Sequence, residues 1–208
     1  MTVDKYSAAD IRIVEFDEHV RAQPQMYFQV GRSNPEFATR VLENVLGHAL
    51  HPAARLAPVH TLQVEAEITG DLSFSVRDDR ADALDEHGYP QLGYFGSLLR
   101  PERWLSAAAS AVSSRVVVGV WRNGHAFEQE LAGLRPLSEP RKIDPSPGTG
   151  TRIAFELDRA HLEQYHALTL NLTGLDLHGP DCDEPAGPGR VTLTDLRDRD
   201  RPVIARYP

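Results

Sequence analysis

The sequence predicts an α+β fold: a two-layer sandwich of a mixed β-sheet with helices on one face. Three observations carry this. Phe37, Val41, Leu42, Val45, Leu46 and Ala49 recur at helical spacing through RVLENVLGHALH (40–51), so that stretch is an amphipathic helix with one broad apolar face. Leu62, Val64, Ala66 and Ile68 alternate with polar residues, and the alternation resumes after Thr69-Gly70-Asp71 as Leu72, Phe74 and Val76, which is a strand, turn and strand with one buried face. The order of elements, helix, hairpin, long loop, helix, hairpin, strand, segregates helices to one side of the sheet.

Taken along the chain, Pro52 ends the first long helix. From Arg77 to Arg103 periodicity gives way to charges, glycines and prolines, the composition of a long loop over a surface, and loops of that length are often functional. WLSAAASAVSS (104–114) is helical by propensity. It leads into RVVVGVW and HAFEQEL, and the Asn123-Gly124 pair between them is a strong hairpin signal. Residues 135–150 are rich in proline, serine and glycine and form a surface loop before the alternating strand TRIAFEL (151–157). A short helical patch at 160–165, LTLNL, the loop HGPDCDEPAGPGR, VTLTDL and PVIARY complete the chain, with no internal repeat.

The length of 208 residues suffices for one sizeable core. A single cysteine, Cys182, excludes an intrachain disulfide framework and a cysteine cluster for zinc, so a reducing cytoplasm is the expected location. The N-terminus has no secretory pattern and no stretch is long enough to span a bilayer, so no membrane association is expected. A net charge of -8, with acids and bases interspersed, disfavours nucleic acid as a partner.

Four segments, EHVRAQPQMYF (18–28), FSVRDD (74–79), RNGHAFEQEL (122–131) and GTGTRIAFEL (148–157), resemble in this order the N-terminal ATPase domain of the DNA gyrase B protein, within the gyrase, Hsp90, histidine kinase and MutL superfamily. The resemblance implies a gyrase B ATPase-like domain over residues 1–158, with a shortened lid at about 80–104. It also implies a C-terminal extension over 159–208 that is a remnant of the start of the transducer domain. Glu43 takes the place of the glutamate that activates water against the γ-phosphate, a general-base role. Asp78 matches the aspartate that accepts from the adenine amino group, Thr151 matches the threonine that supports adenine, and Val76 and Ile153 line the same pocket.

The departures fall on the phosphate half. Gly47 stands where the family has the asparagine that holds magnesium, and phosphoryl transfer leans on that metal. Asp78-Asp79 is followed by Arg80-Ala81-Asp82 rather than by glycines. LLRPERWLSAAAS replaces the glycine-rich box whose backbone N–H groups cradle the triphosphate. Asn44, His48 and His51 add polar groups, and histidine is suited to acid-base work near neutral pH.

The expectation is a degenerate relative that binds a small molecule or nucleotide-like ligand in the former ATP pocket and has lost magnesium-dependent hydrolysis. Glu43 and His48 are the catalytic candidates, and Asn44, Gly47, His51, Val76, Asp78, Thr151 and Ile153 the ligand contacts. No metal site and no cofactor are expected, with ATP and magnesium disfavoured. The alternatives are a metal-independent enzyme of specialised metabolism using Glu43 or His48 as acid or base, and a structural decoy for a gyrase-like partner. The family's dimerisation through an N-terminal arm makes a homodimer a candidate assembly. Each residue also has a plainer role: Glu43, Gly47 and His51 share a polar stripe with Glu36 and Arg40, His48 suits a core position, Asp78 could cap a turn, and Thr151 suits any strand. His178, Asp181, Cys182, Asp183 and Glu184 read as solvated loop charge.

Overall fold

The computed structural model describes residues 13–51, 63–162, 167–177 and 190–207. Leu62, Pro52 and the cluster from His178 to Glu184 lie outside them. Helix α1 (Phe16–Ala22) and the single turn α2 (Gln25–Phe28) precede the long helix α3 (Phe37–Leu50). The hairpin β1 (Gln63–Gly70) and β2 (Ser73–Asp78) follows, then helix α4 (Trp104–Ala111). Strands β3 (Ser113–Arg122), β4 (His125–Ala132), β5 (Arg135–Pro136), β6 (Arg141–Lys142) and β7 (Gly150–Leu157) come next, and β8 (Arg190–Asp195) and β9 (Val203–Tyr207) finish the chain.

Among the described residues the sheet has nine strands in the order β5-β4-β3-β7-β2-β1-β8-β9, with β6 alongside β4. The β1 and β8 pair is parallel and the other pairs are antiparallel, so the sheet is mixed as the sequence predicts. The two-residue period decides which side is covered. Val64, Ala66 and Ile68, Phe74 and Val76, Val116, Val118 and Val120, and Ile153, Phe155 and Leu157 are all buried. Helix α3 packs on β1, β2 and β8, and α4 on β3 and β7. Alternate positions carry charge instead: Arg77 meets Glu65 at 3.8 Å, Arg152 meets Glu67 at 3.6 Å and Arg115 meets Glu130 at 2.6 Å.

Both predicted hairpins form. In the second, Asn123 and Gly124 have φ of 53° and 79°, the two positive values that a type I′ turn requires. No helix among the described residues is long and apolar enough to cross a membrane.

Two segments depart from the sequence expectation. Residues 80–104 are not a loop laid over the surface, because Ala81, Ala83, Leu84, Ser97, Leu98, Leu99 and Arg103 are all buried. The segment is pinned to the sheet where Leu98 N–H donates to Gln129 Oε1 at 2.8 Å, and it turns so tightly that a Cβ on Gly93 would lie 2.2 Å from the Leu99 carbonyl oxygen. Residues 159–161 form a turn rather than a helix, and 163–166 lie outside the described residues. After residue 159 the chain joins the main core: Leu172, Leu175 and Leu177 are buried, and β8 extends the sheet beside β1.

Candidate functional site

Asp78 ends β2 opposite Thr151 of β7, so the antiparallel register alone sets the carboxylate beside the hydroxyl. Two residues back on the same face, Val76 opposes Ile153, and both are buried. Asp78 is 3 % exposed, and both its oxygens are engaged by one side chain. Arg103 Nη1 donates to Oδ2 at 2.6 Å and Nη2 donates to Oδ1 at 2.8 Å. Such a fork-to-fork pair is the strongest geometry open to the two groups. Arg103 is itself 4 % exposed; its Nη2 reaches the Arg80 carbonyl at 3.2 Å and its Nε lies 2.8 Å from Asp82 Oδ2. The Arg80 amide donates to Asp78 Oδ1 at 3.0 Å, and Thr151 Oγ1 donates to the Arg80 carbonyl at 2.6 Å.

Burial alone would raise the Asp78 carboxyl, but the Arg103 guanidinium outweighs it and holds the group below the usual carboxylate range. Burial works against the Arg103 charge in turn, and Asp78 and Asp82 keep it firmly protonated.

His48 sits one helical turn beyond Asn44 on α3 and is 7 % exposed, with its ring edge-on to Trp104 at 5.5 Å. Burial, then repulsion from Arg80 and Arg103, lowers it to about 4, with Asp78 and Asp82 opposing weakly. The imidazole is therefore neutral at pH 7. Its buried Nε2 has no hydrogen-bond partner, and neither have Nε and Nη2 of Arg80, the latter 4.0 Å from Asp82 Oδ2. Leaving such groups buried and unmatched costs about 1–3 kcal/mol each.

Glu43 belongs to a separate set. It is 7 % exposed; Oε2 accepts from Arg40 Nη1 at 2.9 Å and Oε1 from the Asp176 amide at 3.4 Å. Burial raises its carboxyl, with Arg40 opposing. Glu43 and Asp78 have no partner in common among these bonds. Gly47, one turn further along α3, is crossed so closely by residue 177 that a Cβ there would lie 2.9 Å from the Leu177 carbonyl oxygen. Asn44 folds back on its own helix, Nδ2 donating to the Arg40 carbonyl at 2.8 Å. His51 caps α3, its amide donating to the Gly47 carbonyl at 2.7 Å.

The structure thus gathers Asp78, Thr151, Val76 and Ile153, with His48 close by, and sets Glu43 and Gly47 apart beneath residues 175–177. Sequence reasoning missed Arg103. Its partner lies 25 positions away, and the one local signal was an arginine placed directly before an apolar, small-residue helix, where a buried charge needs an acid. Among the described residues no group of three or more His, Cys, Asp or Glu side chains could hold a metal ion. Both Asp78 oxygens are engaged by the Arg103 fork, and position 47 supplies no side-chain ligand.

No protein-family model matches the chain. It is 29% identical over 174 residues to the topoisomerase 4 B protein of Caulobacter vibrioides, a DNA topoisomerase component, covering 74% of this chain and 24% of that protein. Its fold is similar to the crystal structure of the 43K ATPase domain of Thermus thermophilus gyrase B in complex with an aminocoumarin. The TM-score is 0.66 with 18% identity, over 93% of this chain and 51% of the other. The chain spans about a quarter of the length of the first relative and about half of the second. The α+β architecture is therefore that of a gyrase B ATPase-like domain.

Proposed function

We propose that this gyrase B-like domain no longer hydrolyses ATP with magnesium, and that it holds a small polar molecule at the remnant of the nucleotide pocket. The observation that carries the loss of hydrolysis is the contact between Gly47 and the Leu177 carbonyl. A residue able to ligate a metal from position 47 would have to push the chain at 177 off the helix. With no metal to neutralise developing charge, a carboxylate at position 43 has no phosphoryl transfer to assist. In this reading Glu43 serves as a tie between α3 and the segment at 176.

Ligand binding is supported by the buried Nε2 of His48 and the Nε and Nη2 of Arg80, which lack partners on the other half of the site. Buried polar atoms are nearly always matched, so a cluster of exceptions suits a ligand or bound water that supplies the missing bonds. Arg80 and His48 would anchor it, with Asp78, Val76, Ile153 and Thr151 as walls. Asn44 and His51 would lie at its margin. A second reading, an interaction protein that presents a gyrase-like surface to a gyrase-like partner, is favoured by the internal pairing of Asp78 with Arg103. Untargeted mass spectrometry of the purified chain separates them. A reproducible co-purifying small molecule, lost in His48→Phe, supports the ligand reading, and a chain that carries none under any growth condition turns the balance to the interaction protein.

A further inference from the structure

We infer that Arg103 is a built-in occupant of the base position, a side chain that takes the carboxylate this fold presents to adenine and so excludes adenine from the pocket. The inference rests on the reading of this site as the remnant of a nucleotide pocket, with Asp78 the base-facing carboxylate that the resemblance to the gyrase B ATPase domain implies. It does not depend on whether hydrolysis has been lost.

Arg103 and an incoming base compete for a single acceptor, the Asp78 carboxylate. A base with an exocyclic amino group offers a carboxylate one neutral N–H. The guanidinium offers two coplanar N–H groups and a full charge, at 2.6 and 2.8 Å, in a setting where both partners are 4 % exposed or less. The remaining contacts fix the plug from its far side. Arg103 Nη2 shares the Arg80 carbonyl with Thr151 Oγ1, so the hydroxyl placed to support a base is also engaged. Asp82 holds Nε at 2.8 Å.

The backbone that delivers Arg103 is not a flap free to swing away. Leu98 and Leu99 are buried, and Gln129 clamps the segment: its Oε1 accepts from Leu98 N–H and its Nε2 donates to the Gly96 carbonyl at 3.3 Å. Directly after Arg103 the chain enters α4, where Trp104 sets its ring against His48. Glycine-rich backbone at this place would leave Asp78 open, whereas the buried Arg103 side chain covers it. Exclusion of adenine is thus built into the sequence of the segment, and any ligand of this chain has to be read by Arg80 and His48 without taking Asp78 from Arg103.

The test uses the full chain and adenosine, which has no phosphate and so is blind to closure of the phosphate half. Titration calorimetry with adenosine should give no binding to the wild type. Arg103→Ala should bind it, at least roughly tenfold more tightly than any trace seen in the wild type, and the added Asp78→Asn change should abolish the gain. A folded Arg103→Ala that ignores adenosine overturns the inference, as does wild-type protein that binds adenosine as well as the variant. Should Arg103→Ala fail to fold, it is refolded with adenosine and, separately, with dilute guanidinium ion. Recovery of the native circular dichroism with either supports a vacated base position, and recovery with neither overturns it. ATP turnover by the wild type is a separate result that overturns the functional reading, whatever adenosine does to the variant.

Discussion

Arg103 meets Asp78 edge to edge, two N–H groups against two carboxylate oxygens, across 25 positions of sequence and almost out of contact with solvent. The pair closes the centre of the fold between β2 and α4. Removing one partner strands the other as an uncompensated buried charge, so Arg103→Ala should cost about 3–5 kcal/mol of stability. Asp78→Asn/Arg103→Met should cost less than the sum of its single changes, as chemical denaturation in a double-mutant cycle would show. The folded Asp78 carboxyl lies below its ordinary value, so its contribution is complete above about pH 4 and is lost only as pH falls below that.

His48 contributes a pH dependence of the same sign in a higher window. Its folded value of about 4 lies below the unfolded value near 6.5, so between those limits the unfolded chain binds more protons. Stability should therefore rise with pH from about 4 to 6.5 and level off above, by about 3 kcal/mol in all. His48→Phe keeps a ring against Trp104 and should flatten the urea-midpoint profile over that window. A profile that keeps its slope in the variant would place the titrating group elsewhere.

Gly47 is predicted to tolerate no side chain. Gly47→Ala gains helix propensity of about 1 kcal/mol, yet its Cβ would meet a backbone carbonyl at 2.9 Å, which must move. We expect net destabilisation, visible as a lower melting temperature, and Gly47→Asn should gain no magnesium-dependent activity. A more stable Gly47→Ala would mean that residues 175–177 do not hold this position in solution.

Glu43→Gln should keep the acceptor for the Asp176 amide and lose the Arg40 ion pair, whereas Glu43→Ala loses both. Melting curves should rank them wild type, then Gln, then Ala, with a spread of about 1–3 kcal/mol. The rank order checks a tie rather than a base: a catalytic carboxylate would show its effect in turnover and leave the melting curves together.

Helix α3 and both hairpins were legible in the sequence because their information is local. Val41, Leu42, Val45 and Leu46 repeat with the helix, Phe74 and Val76 alternate with the strand, and Asn123-Gly124 adopts the backbone its turn requires. The candidate residues Asp78 and Thr151 could also be found together, since one register pairs them. What fills the pocket could not be read. Residues 80–104 lose periodicity to charge and glycine, so nothing marked Leu98 or Leu99 as buried, and for Arg103 the one local signal was the apolar helix that follows it. The cover over α3 was equally hidden, because Glu43 and Asp176 are 133 positions apart, and the parallel pairing of β1 with β8 has no turn between the strands to announce it.

Phosphate release with ATP and magnesium, measured together with calorimetric titration of ATP into the wild-type chain, tests the central claim most directly. The account predicts no turnover above the uncatalysed rate and no saturable heat of ATP binding. Saturable turnover that disappears in Glu43→Ala would contradict it, since it would require a metal to be held beside Gly47 and Glu43 to act on phosphate.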